Sequence, residues 1–114
     1  MKPTKHSAHF EHELLGKDEG YKIVGPLSGC IKCGDVFVWK APDDSAITIM
    51  FPPSRDPLGI GCTTLEPKEK LVRNLSRAAL PERLPKAKYR YAIFCHRTNN
   101  FAVMNSDPEI IISE

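Results

Sequence analysis

The residues of this 114-residue chain with most chemistry to offer are its four cysteines and four histidines. Cys30 and Cys33 stand two residues apart and directly precede Gly34. In that spacing two sulfurs can wrap one ion, and a following glycine eases the turn. One such pair supplies half of a tetrahedral zinc site, and Cys62, Cys95 and His96 are the residues that could complete it. The chain has no second pair of this spacing, so two semi-buried thiols beside a strand turn are the plainer expectation. A thiol–disulfide exchange motif of the thioredoxin type opens a helix, whereas this pair leads into an extended stretch, which weighs against a redox role.

The remaining candidates are weaker. His6, His9 and His12 are spaced by three and on a helix would line one flank, but a solvated polar arm is the expectation. Cys95 and His96 are adjacent, yet a nucleophile and its base meet by geometry and not by adjacency. Gly59, Ile60, Gly61 and Cys62 are too short a signal for a phosphate loop, and Asp43 and Asp44 read as a turn. No catalytic residue is assigned, and a non-enzyme is the expectation. Residues 66–90 hold eight Lys or Arg against three Glu, but these interleave with apolar positions as on an ordinary solvated face.

Short extended segments must position these groups. Residues 21–24, 30–33, 36–39 and 46–51 read as strands separated by the turn-forming Gly25 and Pro26, Gly34 and Asp35, and residues 41–45. Residues 54–62 read as loop. Pro67 and Glu69 suit a helix start, and Leu71, Val72, Leu75, Ala78 and Ala79 recur at helical spacing, so one helix is expected near 67–80, ended by Pro81 and Pro85. Tyr89, Tyr91, Ile93 and Cys95 alternate with Arg90, Ala92, Phe94 and His96 and form the clearest strand. A short strand over 101–104, a turn over 106–108 and a closing strand over 110–112 complete the chain. Residues 1–20 read as a polar, flexible arm with at most a helical turn or two around Phe10, Leu14 and Leu15, which leaves 21–114 as the domain. The fold class expected is mostly β, a Greek-key β-sandwich with one helix in a long connection. Trp39, Phe37, Ile49, Phe51, Tyr91 and Ile93 are the expected core.

The run Gly34, Asp35, Val36, Phe37, Val38, Trp39 resembles the Gly-Asp-x-(apolar)-x-Trp strand of cupredoxins. Tyr89, Tyr91, Ile93 and Cys95 resemble the strand that delivers the copper cysteine in that family, and 110–112 resemble its closing strand. The similarity covers roughly residues 21–51 and 88–113. It implies a cupredoxin-like sandwich, in which a blue-copper centre needs two imidazoles, one thiolate and a weak axial thioether. Cys95 has the right strand and parity, and Met104 lies farther downstream than the family's axial methionine. His96 follows Cys95 without the family's spacer. The family's other histidine would stand near Ser45 and Ala46, and no histidine occurs between His12 and His96. The resemblance therefore implies a cupredoxin-like accessory or interaction domain without a complete blue-copper site. The alternative is a metal-binding protein, with zinc at Cys30 and Cys33 plus Cys62, Cys95 or His96, or copper at Cys95 with Met104 and an arm histidine.

Composition narrows the class further. The length suits one domain that can bury its own core. Ten prolines and seven glycines favour turns over a helical bundle. A net charge of +2, without a recognition motif, argues against nucleic acid as partner and leaves a protein partner of unknown kind as the expectation. No cofactor is expected, zinc or copper being the ions open to the cysteines. The polar first twenty residues hold neither a signal-peptide core nor a membrane span. The expected compartment is the cytoplasm, or the periplasm or exterior if a leader preceded residue 1. In a reducing compartment the cysteines are thiols or ligands more readily than disulfides.

Overall fold

Period-two alternation of apolar residues dominates the packing of this chain, and residues on the inner face of one strand meet those of the next. The computed structural model describes residues 3–24, 27–78, 86–102 and 108–113. In chain order the strands are β1 (Lys5–Leu15), β2 (Asp18–Val24), β3 (Leu27–Cys30), β4 (Val36–Lys40), β5 (Ile47–Met50), β6 (Cys62–Leu65), β7 (Lys70–Asn74), β8 (Lys86–Arg90), β9 (Ala92–Cys95), β10 (Asn100–Phe101) and β11 (Glu109–Ser113). They form three sheets, ordered β2-β1-β4-β7, β10-β9-β5-β6 and β3-β11-β8. β1 pairs with β4, and β3 with β11, in parallel; the other pairings are antiparallel. The fold is mostly β, with several sheets.

The core forms where the sequence pattern places it. Phe37, Trp39, Ile49, Phe51, Tyr91 and Ile93 are all buried in one cluster that draws on strands of all three sheets. Trp39 is its centre. Its ring meets Phe37, Tyr91 and Phe51 edge-on at centroid distances of 6.2, 6.0 and 6.5 Å. The indole Nε1–H donates to Tyr91 Oη at 3.1 Å, which satisfies both buried polar groups. Phe51 and Tyr91 stack at 4.8 Å.

The helix expected near 67–80 is not formed. Residues 70–74 are strand β7, followed by a single 3-10 turn, Leu75–Arg77. Among the described residues no helix longer than such a turn occurs. A spacing of four, as from Leu71 to Leu75, is common to one helical turn and two strand repeats. What decides between them is β4, whose open edge pairs Trp39 with Leu71 and Phe37 with Arg73. Leu71 and Leu75 are buried while Val72 between them is 53% exposed. Residues 79–85, where the helix was to end, lie outside the described residues.

The arm expected over 1–20 is also replaced, because residues 5–15 form β1. Its antiparallel hairpin with β2 closes through Gly16 and Lys17, with Leu15 facing Asp18 and Gly16 at φ +69°. Its other edge pairs in parallel with β4 over residues 5–8. Among the described side chains of β1, Ala8 alone is fully buried. The strand is held chiefly by backbone pairing on both edges, which side-chain polarity does not reveal.

Two further boundaries move. β3 ends at Cys30, so residues 31–34 are a turn and not an extended piece. The strand expected over 89–95 is two strands in different sheets, with Tyr91 at the corner and its N–H on Pro108 O at 3.0 Å. β6 falls at the end of the expected 54–62 loop.

Trp39→Ala is expected to cost about 3–5 kcal/mol, as for other large buried aromatics, against a total of about 5–15 kcal/mol for a domain of this size. Chemical denaturation checks it: an unchanged midpoint would mean that the interior does not depend on this ring.

Candidate functional site

The chemistry-bearing residues gather beyond the two ends of β4. Before its start lies the turn that carries Cys30 and Cys33. After its end lies the 41–46 loop, against the residues that follow β9.

The first cluster is organised by Asp35. Its carboxylate accepts the Thr4 N–H at 2.9 Å and the Cys30 N–H at 3.0 Å, and lies 3.2 Å from His6 Nε2. The Thr4 and Cys30 N–H groups, with His6 in support, hold this carboxyl below the usual carboxylate range. Gly34, at φ +69°, lets the chain reverse between Cys33 and Asp35, and its N–H donates to Ile31 O at 2.9 Å. Gly29 fixes the stem on the other side, because a Cβ there would stand 2.4 Å from Leu75 Cδ1 and 2.9 Å from Phe37 Cε1.

Within this frame the two cysteine sulfurs are 2.8 Å apart, Cys33 S–H donating to Cys30 Sγ. The Cys33 N–H also donates to Cys30 Sγ, at 3.3 Å. These donors draw the Cys30 thiol below its ordinary pKa, and the bond it makes to Cys30 raises that of Cys33. Both residues are half-buried.

The second cluster joins residues far apart in sequence. Arg97 Nε–H donates to Tyr21 Oη at 2.6 Å, and its NH1 donates to Glu19 at 3.0 Å. Tyr21 Oη donates to Asp44 at 2.7 Å, and His12 Nε2 lies 3.2 Å from the same carboxylate. The Tyr21 hydroxyl, helped by Arg97 and His12, holds Asp44 below the usual carboxylate range. Beneath them Ser45 Oγ accepts the Arg97 N–H at 3.1 Å, and Ala46 O accepts the His96 N–H at 3.0 Å. Sequence reasoning did not find this cluster. Asp44 reads as a turn residue and His12 as part of a solvated arm, and only the pairing of β1 with β2 and the 41–46 loop unites them.

Of the cysteine and histidine candidates, the structure brings together Cys30 and Cys33. Cys95 and His96 lie beyond the other end of β4, about 20 Å of extended chain away. Cys95 is fully buried, and burial pushes its thiol up to about 11. His96 is exposed and turned the other way, its Nε2 2.7 Å from Thr48 Oγ1 on the outer face. Cys62 is exposed on β6 opposite Met50, at the other end of β5 from Cys95. Met104 lies outside the described residues. Among the described residues, no three His, Cys, Asp or Glu side chains are placed to hold one metal ion.

Comparison with known proteins matches no family model, no curated sequence and no solved structure. No helix among the described residues is long and apolar enough to cross a membrane. What fold and site define is a class: a mostly-β protein with a close thiol pair at one end of its central strand and an ion-paired polar cluster at the other.

The Asp35 carboxyl is more acidic folded than unfolded. Its stabilising effect is complete above the ordinary Asp value of about 4 and is lost as pH falls through the depressed folded value. Asp35→Asn is therefore expected to lower Tm at pH 7, with the parent and variant Tm curves converging as the solution is acidified. Thermal melts from pH 7 down to pH 2 check it; parallel curves would show that the Asp35 charge does not contribute.

Proposed function

We propose that this chain is a cupredoxin-like Greek-key sandwich that serves as an accessory or interaction domain and not as a blue-copper electron carrier. The order of the strands supports the fold part of this reading. After β4 the chain passes to another sheet, forms the β5–β6 hairpin there, and returns as β7 to pair with β4. A chain that passes to a second sheet for a hairpin and returns to its first is what packed-sheet sandwiches do.

The observation that carries the functional part is the contact of Ser45 and Ala46 with residues 96 and 97. In the family that the sequence resembles, a copper-binding imidazole stands at this point of the chain. Here the loop does come up against the end of the cysteine strand, but it brings a hydroxyl. Ser45 Oγ donates to Ala46 O at 2.8 Å and accepts from Arg97 N–H, so its bonding is satisfied within the protein. Next to it Arg97 spans Tyr21, Glu19 and Asp44, with a cationic guanidinium. A guanidinium, two carboxylates and an imidazole on one exposed rim recognise a partner by charge and hydrogen bonding. A protein partner fits this chemistry.

Copper titration tests the reading. A thiolate-to-Cu(II) site of the family that the sequence resembles gives an intense visible band. Added Cu(II) is expected to give none, because Cys95 is sealed in the core while His96 turns to Thr48 on the outer face and His12 is engaged by Asp44. An intense band that vanishes in Cys95→Ser would overturn the proposal.

A further inference from the structure

The turn at Cys30 and Cys33 holds two sulfurs in direct contact. Two thiolates sharing one tetrahedral zinc stand about 3.8 Å apart, given Zn–S bonds of about 2.3 Å. A disulfide bond is about 2.05 Å long. The two sulfurs are in direct contact with no room for an ion between them, which is the arrangement that disulfide formation requires.

The approach is imposed by the surrounding fold. Ile31 N–H donates to Ser113 O at 2.8 Å, Asp35 N–H to Cys30 O at 3.2 Å, and Gly34 N–H to Ile31 O at 2.9 Å. Cys30 N–H is held by Asp35, and Gly29 is wedged against Leu75 and Phe37. Backbone bonds therefore fix the chain on both sides of the pair. Both cysteines are partly exposed, so a small solute can reach them, whereas Cys95 is sealed in the core. A helix is one way of presenting two thiols at this spacing. A strand end followed by a tight, pinned turn achieves the same contact, which removes the objection that the motif leads into an extended stretch.

We propose that Cys30 and Cys33 are a reversible redox pair that exchanges with low-molecular-weight disulfides. The Cys30 thiolate attacks one sulfur of R–S–S–R, and the second sulfur leaves as a thiolate that takes up a proton. The Cys33 thiol then loses its proton and attacks the Cys30 sulfur of the mixed disulfide, expelling the second RS–, which is protonated in turn. The two cysteines are oxidised to one disulfide, and R–S–S–R is reduced to two RSH. Cys30 is the attacking sulfur because the Cys33 backbone N–H points at its sulfur and stabilises the thiolate there. The turn that closes is the one that seats Thr4 and His6 through Asp35, so the redox state acts on the start of the β1–β4 seam.

The sequence provides a clean readout, because Lys32 lies between the two cysteines. Trypsin cuts there and yields peptides 23–32 and 33–40, which stay joined only when the disulfide is present. The full chain is equilibrated at graded ratios of reduced to oxidised glutathione, quenched in acid, alkylated, digested and weighed. The expected result is a linked 23–32/33–40 species that appears and disappears reversibly with the ratio. In denaturant, half-linkage is expected to need about ten-fold more oxidised glutathione, since the fold no longer holds the sulfurs together. Cys33→Ser is expected to trap glutathione on Cys30 faster than Cys30→Ser traps it on Cys33. Separate peptides at every ratio, equal midpoints with and without denaturant, linkage to Cys62 instead, or stoichiometric zinc masking both thiols of the reduced protein would each overturn the proposal.

Discussion

The hydrogen bond from Trp39 to Tyr91, with the rings packed around it, ties the separate sheets into one interior. Trp39 lies on β4, which is paired along both edges, while Tyr91 marks the corner where the chain passes from β8 to β9. Burial pushes the Tyr91 hydroxyl up to about 12, so it stays neutral and free to accept the indole proton at any ordinary pH. A buried polar pair of this kind is tolerated only if both members are satisfied, which fixes the two strands relative to one another.

Everything of chemical interest is placed by that central strand. β1 runs alongside β4 and carries His6 to Asp35 at one end, then continues past it to bring His12 to Asp44 at the other. The two clusters are built alike. In each, an aspartate just outside the strand collects donors from distant segments and is held in its charged form by them. Such carboxylates fix loop conformation because each donor lost leaves a charge less well solvated.

The four cysteines divide by environment. Cys95 is in the core and its raised pKa keeps it protonated, so it behaves as a small apolar residue. Cys30 is half-buried beside hydrogen-bond donors, which favour the thiolate. The same residue type thus fills space at one end of β4 and offers reactivity at the other.

The strand over 46–51 was legible from alternation, because burial of one face writes a period of two into the chain. Those over 21–24, 36–39 and 110–112 were legible from β-branched and aromatic runs between turn residues. The core residues Phe37, Trp39, Ile49, Phe51, Tyr91 and Ile93 lie on or beside these strands. The proximity of Cys30 and Cys33 was legible too, since it needs only a turn of short range. β1 was hidden because its place rests on backbone hydrogen bonds to two neighbours, and those leave no trace in side-chain polarity. β7 was misread because the spacing of Leu71 and Leu75 satisfies both periods, and the open edge of β4 made the choice. The corner at Tyr91 was invisible because alternation continues through it while the pairing partner changes from β11 to β5. The cluster of His12, Glu19, Tyr21, Asp44 and Arg97 was decided by tertiary structure alone. Its members are up to 85 residues apart, and only sheet pairing brings their charges within hydrogen-bonding distance.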